Sequence, residues 1–407
     1  MRLRAGLGST LAIMAIGVTT AHASGFALPA LSVTGLSEAN ALIANTSALG
    51  AEAYNPAAMA FHKGGYDLGL IGLAVHSTVT PAGGAGTVVA TTPHWQTIPD
   101  IYWADKVAPR TRLGFAINEP YGFAIAWPAS TFPALAQGTA AALAPTYSEL
   151  RLFDVSPSVS YRMGGVAVDL GIDYYDAHRV VLGTPTTTVS GSGDRVGGHI
   201  GFLARLGSWG IGANYRSAVN VPLDGTFSQS GAQTPMNAVL HLPWQAGIGV
   251  HDALNPRTGI EIDVARIGWS RFTDLTATPP PAVGGATLFS SSYDWRSAMS
   301  YRLGVHYDLS HHVSLRAGYG YDQAAATNAH FSARLPDANS QELSFGASQK
   351  LGTWRLSAGY MYVYFNTRSY NSGTSLATSD PNGTSAYNGT YRTHAQLFGI
   401  SISRQFS

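Results

Sequence analysis

Strict alternation of apolar and polar residues, repeated along most of the chain, is the feature that most constrains its fold. Tyr301, Leu303, Val305, Tyr307 and Leu309 alternate with Arg302, Gly304, His306 and Asp308. Val313, Leu315, Ala317, Tyr319 and Tyr321 do the same, and only a short Ser310-His311 turn separates the two runs. Val166 to Tyr174 and Trp354 to Tyr364 repeat the theme. A period of two puts one apolar and one polar face on an extended strand. The polar positions hold Gly, Ser, Asp, Arg and His, where a water-soluble sheet would present Lys and Glu. Charged residues make up only 12% of the 407, against about 25% in soluble domains. Beyond residue 24 no apolar run approaches the length of about 18 that a transmembrane helix needs. If such a chain crosses a membrane, only a closed β-barrel pairs every backbone polar group. A secreted β-sandwich is the competing reading, and the sparse charge disfavours it.

The reading is therefore an all-β, transmembrane antiparallel β-barrel. Fourteen strands are expected near 65–80, 96–108, 111–127, 147–163, 165–183, 195–206, 208–227, 236–253, 256–275, 294–309, 312–327, 340–351, 352–370 and 388–407. The alternation slips near Ala265 and again between Leu397 and Ile400. Tight turns alternate with long Pro-, Gly-, Ser- and Asn-rich connections at 128–146, 276–293, 328–339 and 371–387, as in outer-membrane barrels. Ala134 to Ala144 reads as a short Ala-rich helix, an apolar flap. Tyr360, Tyr362 and Tyr364 suit a membrane-interface belt.

The N-terminus reads as an export signal. Arg2 and Arg4 precede an apolar stretch from Leu7 to Val18, and Ala21-His22-Ala23 resembles a cleavage site. The expected divisions are residues 1–23 as signal peptide, 24–62 as an N-terminal hatch and 63–407 as the barrel. Residues 24–62 do not alternate and are rich in Ala, Leu and Ser, so they suit a compact plug in the lumen. The net charge of +1 owes its sign to Arg2 and Arg4 and carries no information about a partner. Without a basic block, nucleic acid is not expected. The absence of Cys removes disulfides, thiolate metal sites and a Cys nucleophile. No G-x-S-x-G, H-E-x-x-H, P-loop or G-x-G-x-x-G occurs. The chain is read as no enzyme, with no cofactor and no metal; His311-His312 lies in a turn.

Ser24-Gly25-Phe26-Ala27-Leu28, then Gly35 and Asn55-Pro56-Ala57, resemble the hatch of the long-chain fatty acid outer-membrane transporter family (FadL/TodX-like, OMPP1). Asn118-Glu119-Pro120-Tyr121-Gly122 falls where that family's third strand is kinked. Val155 to Tyr161, Trp269-Ser270-Arg271-Phe272, Tyr301 to Gly304, Leu315 to Tyr319 and Arg334-Leu335-Pro336-Asp337 continue the resemblance in order. It implies a bacterial outer-membrane channel that captures hydrophobic compounds, such as long-chain fatty acids or aromatic hydrocarbons, in an apolar pocket and releases them through the wall. Phe26 and Leu28 would form a movable stopper, and Phe123 would line the route or face lipid. Asn55, Pro56 and Ala57 would fix the hatch fold. Asn118, Pro120 and Gly122 would form the lateral portal, because Pro cannot donate a ladder hydrogen bond. Arg151 and Arg316 are candidates for a carboxylate head group, or else each pairs with a nearby acid such as Asp154 or Asp322. The expected partners are a hydrophobic small molecule, outer-membrane lipid and lipopolysaccharide, around a monomer. The alternatives are a general diffusion porin, or a barrel hydrolase or adhesin.

Overall fold

The computed structural model describes residues 25–46, 48–376 and 380–406; the expected signal peptide lies outside them. Fourteen antiparallel strands form one closed wall. They are β1 (Gly65–Pro81), β2 (His94–Ala108), β3 (Thr111–Ala126), β4 (Tyr147–Met163), β5 (Val166–Gly183), β6 (Thr187–Leu206) and β7 (Trp209–Arg216, continuing as Val219–Gln229). They continue with β8 (Ala232–Leu242, then Gln245–Asn255), β9 (Thr258–Ile267), β10 (Ala298–Asp308), β11 (Val313–Asp322), β12 (Ser340–Leu351), β13 (Trp354–Phe365) and β14 (Gly389–Gln405). Closure comes from β1 and β14, which pair without interruption from Gly65↔Gln405 to Pro81↔Gly389.

The period-two pattern maps onto the wall. Leu70, Leu170, Ile200, Ile248, Ile262 and Ile400 stand exposed on the outer face, as a lipid-facing surface requires. Asp67, Asp100, Asp173, Glu261 and Arg316 are buried on the inner face. Both slips in the alternation have a cause. Leu397 is fully buried against the hatch residues Val33 and Leu36. Ala265 and Ile267 border an internal cavity beside hatch residues. At Leu397 the inner face turns apolar because the hatch, not water, packs against it.

Several strands end earlier than the alternation suggests. The ninth, tenth and eleventh stop at Ile267, begin at Ala298 and stop at Asp322, because residues 268–297 and 323–339 turn inward as caps. The expected Ala-rich helix is absent. Pro133–Leu135 and Gly138–Leu143 are separate 3-10 turns, and Leu135 packs with Trp127, Phe132 and Tyr387.

The hatch folds around α1 (Val33–Ser37), which Ser32 caps by accepting the Gly35 N–H at 3.0 Å. Asn55 begins a 3-10 turn at Pro56–Phe61: its Oδ1 accepts the Ala57 N–H, and its Nδ2 donates to the carbonyls of Ile43 and Phe202 at 2.7 and 2.9 Å. Asn55 thereby ties the hatch to β6. The wall makes room with inward glycines. A Cβ on Gly346 would stand 2.1 Å from Ser37 Oγ, and one on Gly318 would stand 2.3 Å from the Glu38 carbonyl carbon. Charged groups fix the seat. Arg316 Nε donates to Glu38 at 2.7 Å, Asp263 accepts the Ile43 N–H at 3.0 Å, and Glu261 accepts the Ala44 N–H at 2.6 Å.

Replacing Arg316 by Ala would leave Glu38 buried without its counter-ion, a change that costs about 3 kcal/mol or more. Hydrogen exchange at the backbone of residues 33–44 should accelerate accordingly while the strand amides stay protected. Unchanged protection of the hatch would show that this pair does not hold it.

Candidate ligand pocket and wall gap

The ladder between β2 and β3 stops short. β2 and β3 pair from Ala108↔Thr111 to Ile101↔Ile117 and then part. From Asn118 onward β3 follows β4 alone, while residues 94–100 stay paired to β1 alone. The β3–β4 register jumps from Asn118↔Asp154 to Tyr121↔Leu152, so Glu119 and Pro120 bulge opposite Phe153. Bulges bend and twist a strand, and the irregularity continues into the β4–β5 and β5–β6 ladders.

Both lips carry a proline. Alternate residues of a strand direct their backbone polar groups to the same neighbour. The Thr97 carbonyl points across the gap, where it accepts from Arg151, so Pro99 has its ring nitrogen on that same edge. Pro120 faces the gap from β3, since its carbonyl accepts the Leu28 N–H at 3.0 Å. Neither proline presents a donor where the missing ladder would form, and the two strands cannot zip together there. Pro99 was not singled out in the sequence, although a proline inside an expected strand marks an edge.

The hatch tail covers the freed edge from inside. Gly122 N–H donates to the Phe26 carbonyl at 3.0 Å, and Ala27 lies opposite Tyr121 as an isolated antiparallel bridge. Arg151 spans both lips: it meets Glu119 at 2.8 Å and the Thr97 carbonyl at 3.1 Å.

An apolar pocket opens directly behind the gap. Phe26, Leu28 and Phe123 line it with Ile125, Val363 and Phe365. Gln96 from one lip and Gly122 from the other also line it. Phe26 is buried in an aromatic cage, with ring centroids of Trp269, Phe272 and Trp295 at 4.4, 5.2 and 5.6 Å. Trp269 opens a 3-10 turn, Trp269–Arg271, and Phe272 ends it, in the Trp-Ser-x-Phe run. Trp295 falls at the start of the expected strand 294–309, but the strand begins only at Ala298 and Trp295 belongs to the inward-folded cap. A smaller apolar compartment adjoins across Phe26, Phe123 and Leu335. On the far side of Ala27, Leu28 and Pro29 lies a second cavity, bordered by Ala265 and Ile267 and by the charged side chains of Arg216, Arg302 and Asp322.

The two arginines considered for a head group sit elsewhere. Neither lines the apolar pocket. Neither takes the aspartate considered for it, because Asp154 pairs with Arg216 at 2.6 Å and Asp322 with Arg302 at 2.7 Å. Arg151 is engaged at the gap by Glu119, and Arg316 seats the hatch through Glu38. No local spacing announces these partners. Among the described residues, no group of three or more His, Asp or Glu could hold a metal ion.

Among the described residues, Asp337 is the only ionisable side chain lining the apolar pocket. It accepts the N–H groups of Ala325 and Ala326 at 2.8 and 2.9 Å, yet burial pushes its carboxyl from 3.8 up to about 7. The folded loop therefore keeps a proton that an unfolded one releases near 4, so ionisation opposes its seating as pH rises through that window. Limited proteolysis of residues 323–339 should be slower at pH 5 than at pH 8, and Asp337→Asn should flatten the difference. An equal pH dependence in both proteins would assign it to another group.

Residues 14–182 and 183–406 match the family described as outer membrane protein transport protein (OMPP1/FadL/TodX). The chain is 28% identical over 175 residues to outer membrane protein P1 of Haemophilus influenzae, covering 42% of this chain and 37% of that protein. It is 26% identical over 158 residues to the 47 kDa outer membrane protein of Pasteurella multocida, covering 34% and 36%. These matches thus span well under half of each curated relative. Among solved structures, a FadL homologue of Pseudomonas aeruginosa superposes with a TM-score of 0.79 at 16% identity, over 94% of this chain and 100% of that one. The toluene transporter TodX of Pseudomonas putida gives 0.68 at 14% identity, over 92% and 98%. Likeness at such identities shows the fold. The matched family comprises transport channels rather than enzymes, and the named relatives place the barrel in the bacterial outer membrane. The chain belongs to the OMPP1/FadL/TodX family of outer-membrane transport proteins.

Proposed function

We propose that the protein takes up hydrophobic compounds, long-chain fatty acids or aromatic hydrocarbons, by capture in the apolar pocket and lateral passage through the gap between β2 and β3. The observation that carries this reading is the placement of the pocket: Gln96 on one lip and Gly122 and Phe123 on the other line it where the ladder ends. Solved relatives of the same fold are described as a toluene transporter and as a monoaromatic hydrocarbon channel. The physical rationale is the cost of water. Each methylene returned to it costs about 0.8 kcal/mol, so a route that stays apolar from pocket to bilayer avoids the largest barrier. Phe26 and Leu28 act as the stopper, since both line the pocket and their backbone occupies the β3 edge. Asn118, Pro120 and Gly122 form the portal, and Asn55, Pro56 and Ala57 hold the hatch around which the tail moves. The exposed aliphatic outer face suits membrane lipid and lipopolysaccharide, and a closed wall suits a monomer.

Liposomes containing the protein should take up toluene or a fatty acid faster than empty ones. Pro120→Ala should slow that uptake several-fold at equal barrel abundance, and a P99V/P120A variant, which restores a donor to each lip, should slow it further. Equal rates with and without the protein would remove the transport reading. Normal uptake by both variants would remove the portal alone.

A further inference from the structure

The lipid-facing side of the wall carries a groove. It runs across β11 to β14 and onto β1, in the half of the barrel nearest the tight Gly352-Thr353 turn. Short turns mark the periplasmic end of an outer-membrane barrel. Strand register sets the shape of the groove. Ala347 pairs with Ala358, Ala358 with Ile400, and Ile400 with Leu70. The outward row one step farther from the turn is Phe345, Tyr360 and Phe398, and the row one step nearer is Gln349, Leu356, Ile402 and Leu68. The two alanines therefore form a floor between rows of larger side chains, and the aromatic row closes the groove toward the membrane midplane.

At its periplasmic end the groove meets a cation. Arg404 follows Ile400 and Ile402 on the outward face of β14 and is exposed. Its guanidinium lies over the Trp354 ring, 5.2 Å from the centroid. Tyr66 extends this aromatic belt, with ring centroids 6.0 Å from Trp354 and 6.2 Å from Phe406. Among the described residues Arg404 forms no ion pair and no side-chain hydrogen bond. The outward residues of β11 to β14 and β1 in this half include no carboxylate. Phe398 to Arg404 spans about 20 Å at about 3.3 Å per residue. At a strand tilt of about 40° this covers about 15 Å of depth, half of a hydrocarbon core of about 30 Å. The groove is thus one leaflet deep, and its cation stands at the headgroup level.

We propose that this groove holds one phospholipid of the periplasmic leaflet, with an acyl chain along Ala347, Ala358 and Ile400 and the phosphate on the free edge of Arg404. A phosphate is the countercharge this face lacks, and the planar guanidinium fork matches it. A second copy of this chain fits less well. A two-fold contact presents the same patch from both sides, so it would bring no acid to Arg404. The assignment does not depend on the cargo reading above.

The test is native mass spectrometry of the folded protein in detergent, titrated with palmitoyl-oleoyl phosphatidylglycerol or with the diacylglycerol of the same chains, which lacks the phosphate. Wild type should retain one phosphatidylglycerol about tenfold more tightly than the diacylglycerol, the scale of one charge-assisted hydrogen-bond pair. Arg404→Gln should bring that ratio to near one with little change for the diacylglycerol. Ala358→Trp, which fills the floor with a ring that lipid tolerates, should weaken both. Ile248→Trp, on the lipid face of β8 and away from the groove, should weaken neither. Heat-modifiable gel mobility confirms that each barrel is folded. A wild-type ratio near one, a ratio unchanged in Arg404→Gln, or equal effects of the two Trp variants would overturn the assignment. A dimer that Ala358→Trp dissociates would also overturn it and give the groove to a second copy.

Discussion

Backbone pairing is the condition that lipid imposes on this wall, because an unpaired peptide group in the hydrocarbon layer costs several kcal/mol. The β1–β14 junction satisfies it without interruption; the β2–β3 junction ends at Ile101 and Ile117. The exception is built with care. Pro99 and Pro120 remove a donor from each lip, the hatch tail accepts from Gly122 and donates to Pro120, and Arg151 takes the Thr97 carbonyl. The edge is thus satisfied by groups that are not part of the barrel ladder. A gap closed by replaceable partners differs physically from one closed by a ladder: the first opens through a side chain and a short segment, and the second only by unzipping strands.

The hatch shows the converse arrangement. Its body is held by the Arg316–Glu38 pair, by carboxylates on its backbone N–H groups and by inward glycines that let it approach the wall. Burial pushes the Glu38 carboxyl up to about 7 against the pull of Arg316, so part of what that pair contributes is spent on desolvation. Shape, supplied by Gly318, Gly346 and their neighbours, carries the remainder. A substitution at one of these glycines meets hatch backbone or Ser37 directly, whereas loss of a single charge leaves the fit intact.

Much of this was legible in the sequence. Period-two runs place every barrel strand, because lipid on one side and lumen on the other enforce the pattern that the strand geometry reads out. Phe26 and Leu28 at the start of the hatch border one apolar pocket together with Phe123 of β3. The pairing of Arg316 with Glu38 was not legible, since the partners are 278 residues apart and only closure of the barrel brings them together. The same holds for the choice of Arg216, not Arg151, by Asp154. The early ends of β9 and β11 were missed because apolar residues such as Trp269, Leu275 and Ala325 recur among polar ones as the chain folds inward, and alternation alone cannot tell a strand from a cap.

On the proposed route, the division between a firmly seated body and a lightly held tail sets which part of the hatch would yield to cargo. Residues 26–28 are held by two backbone hydrogen bonds and the aromatic cage around Phe26. Emptying such a cage costs about 3–5 kcal/mol by analogy with truncating a buried Phe. A chain of ten methylenes leaving water returns about 8 kcal/mol, and it fills the same apolar space. Displacement of the tail is therefore within reach of a ligand of that size. Displacement of the body is not, because it would also strand Glu38, Glu261 and Asp263 without their partners. A small aromatic hydrocarbon, with less surface to bury, would have to share the space with Phe26 rather than replace it. On the proposed route, cargo length sets how far the tail moves, and the seat below it stays in place.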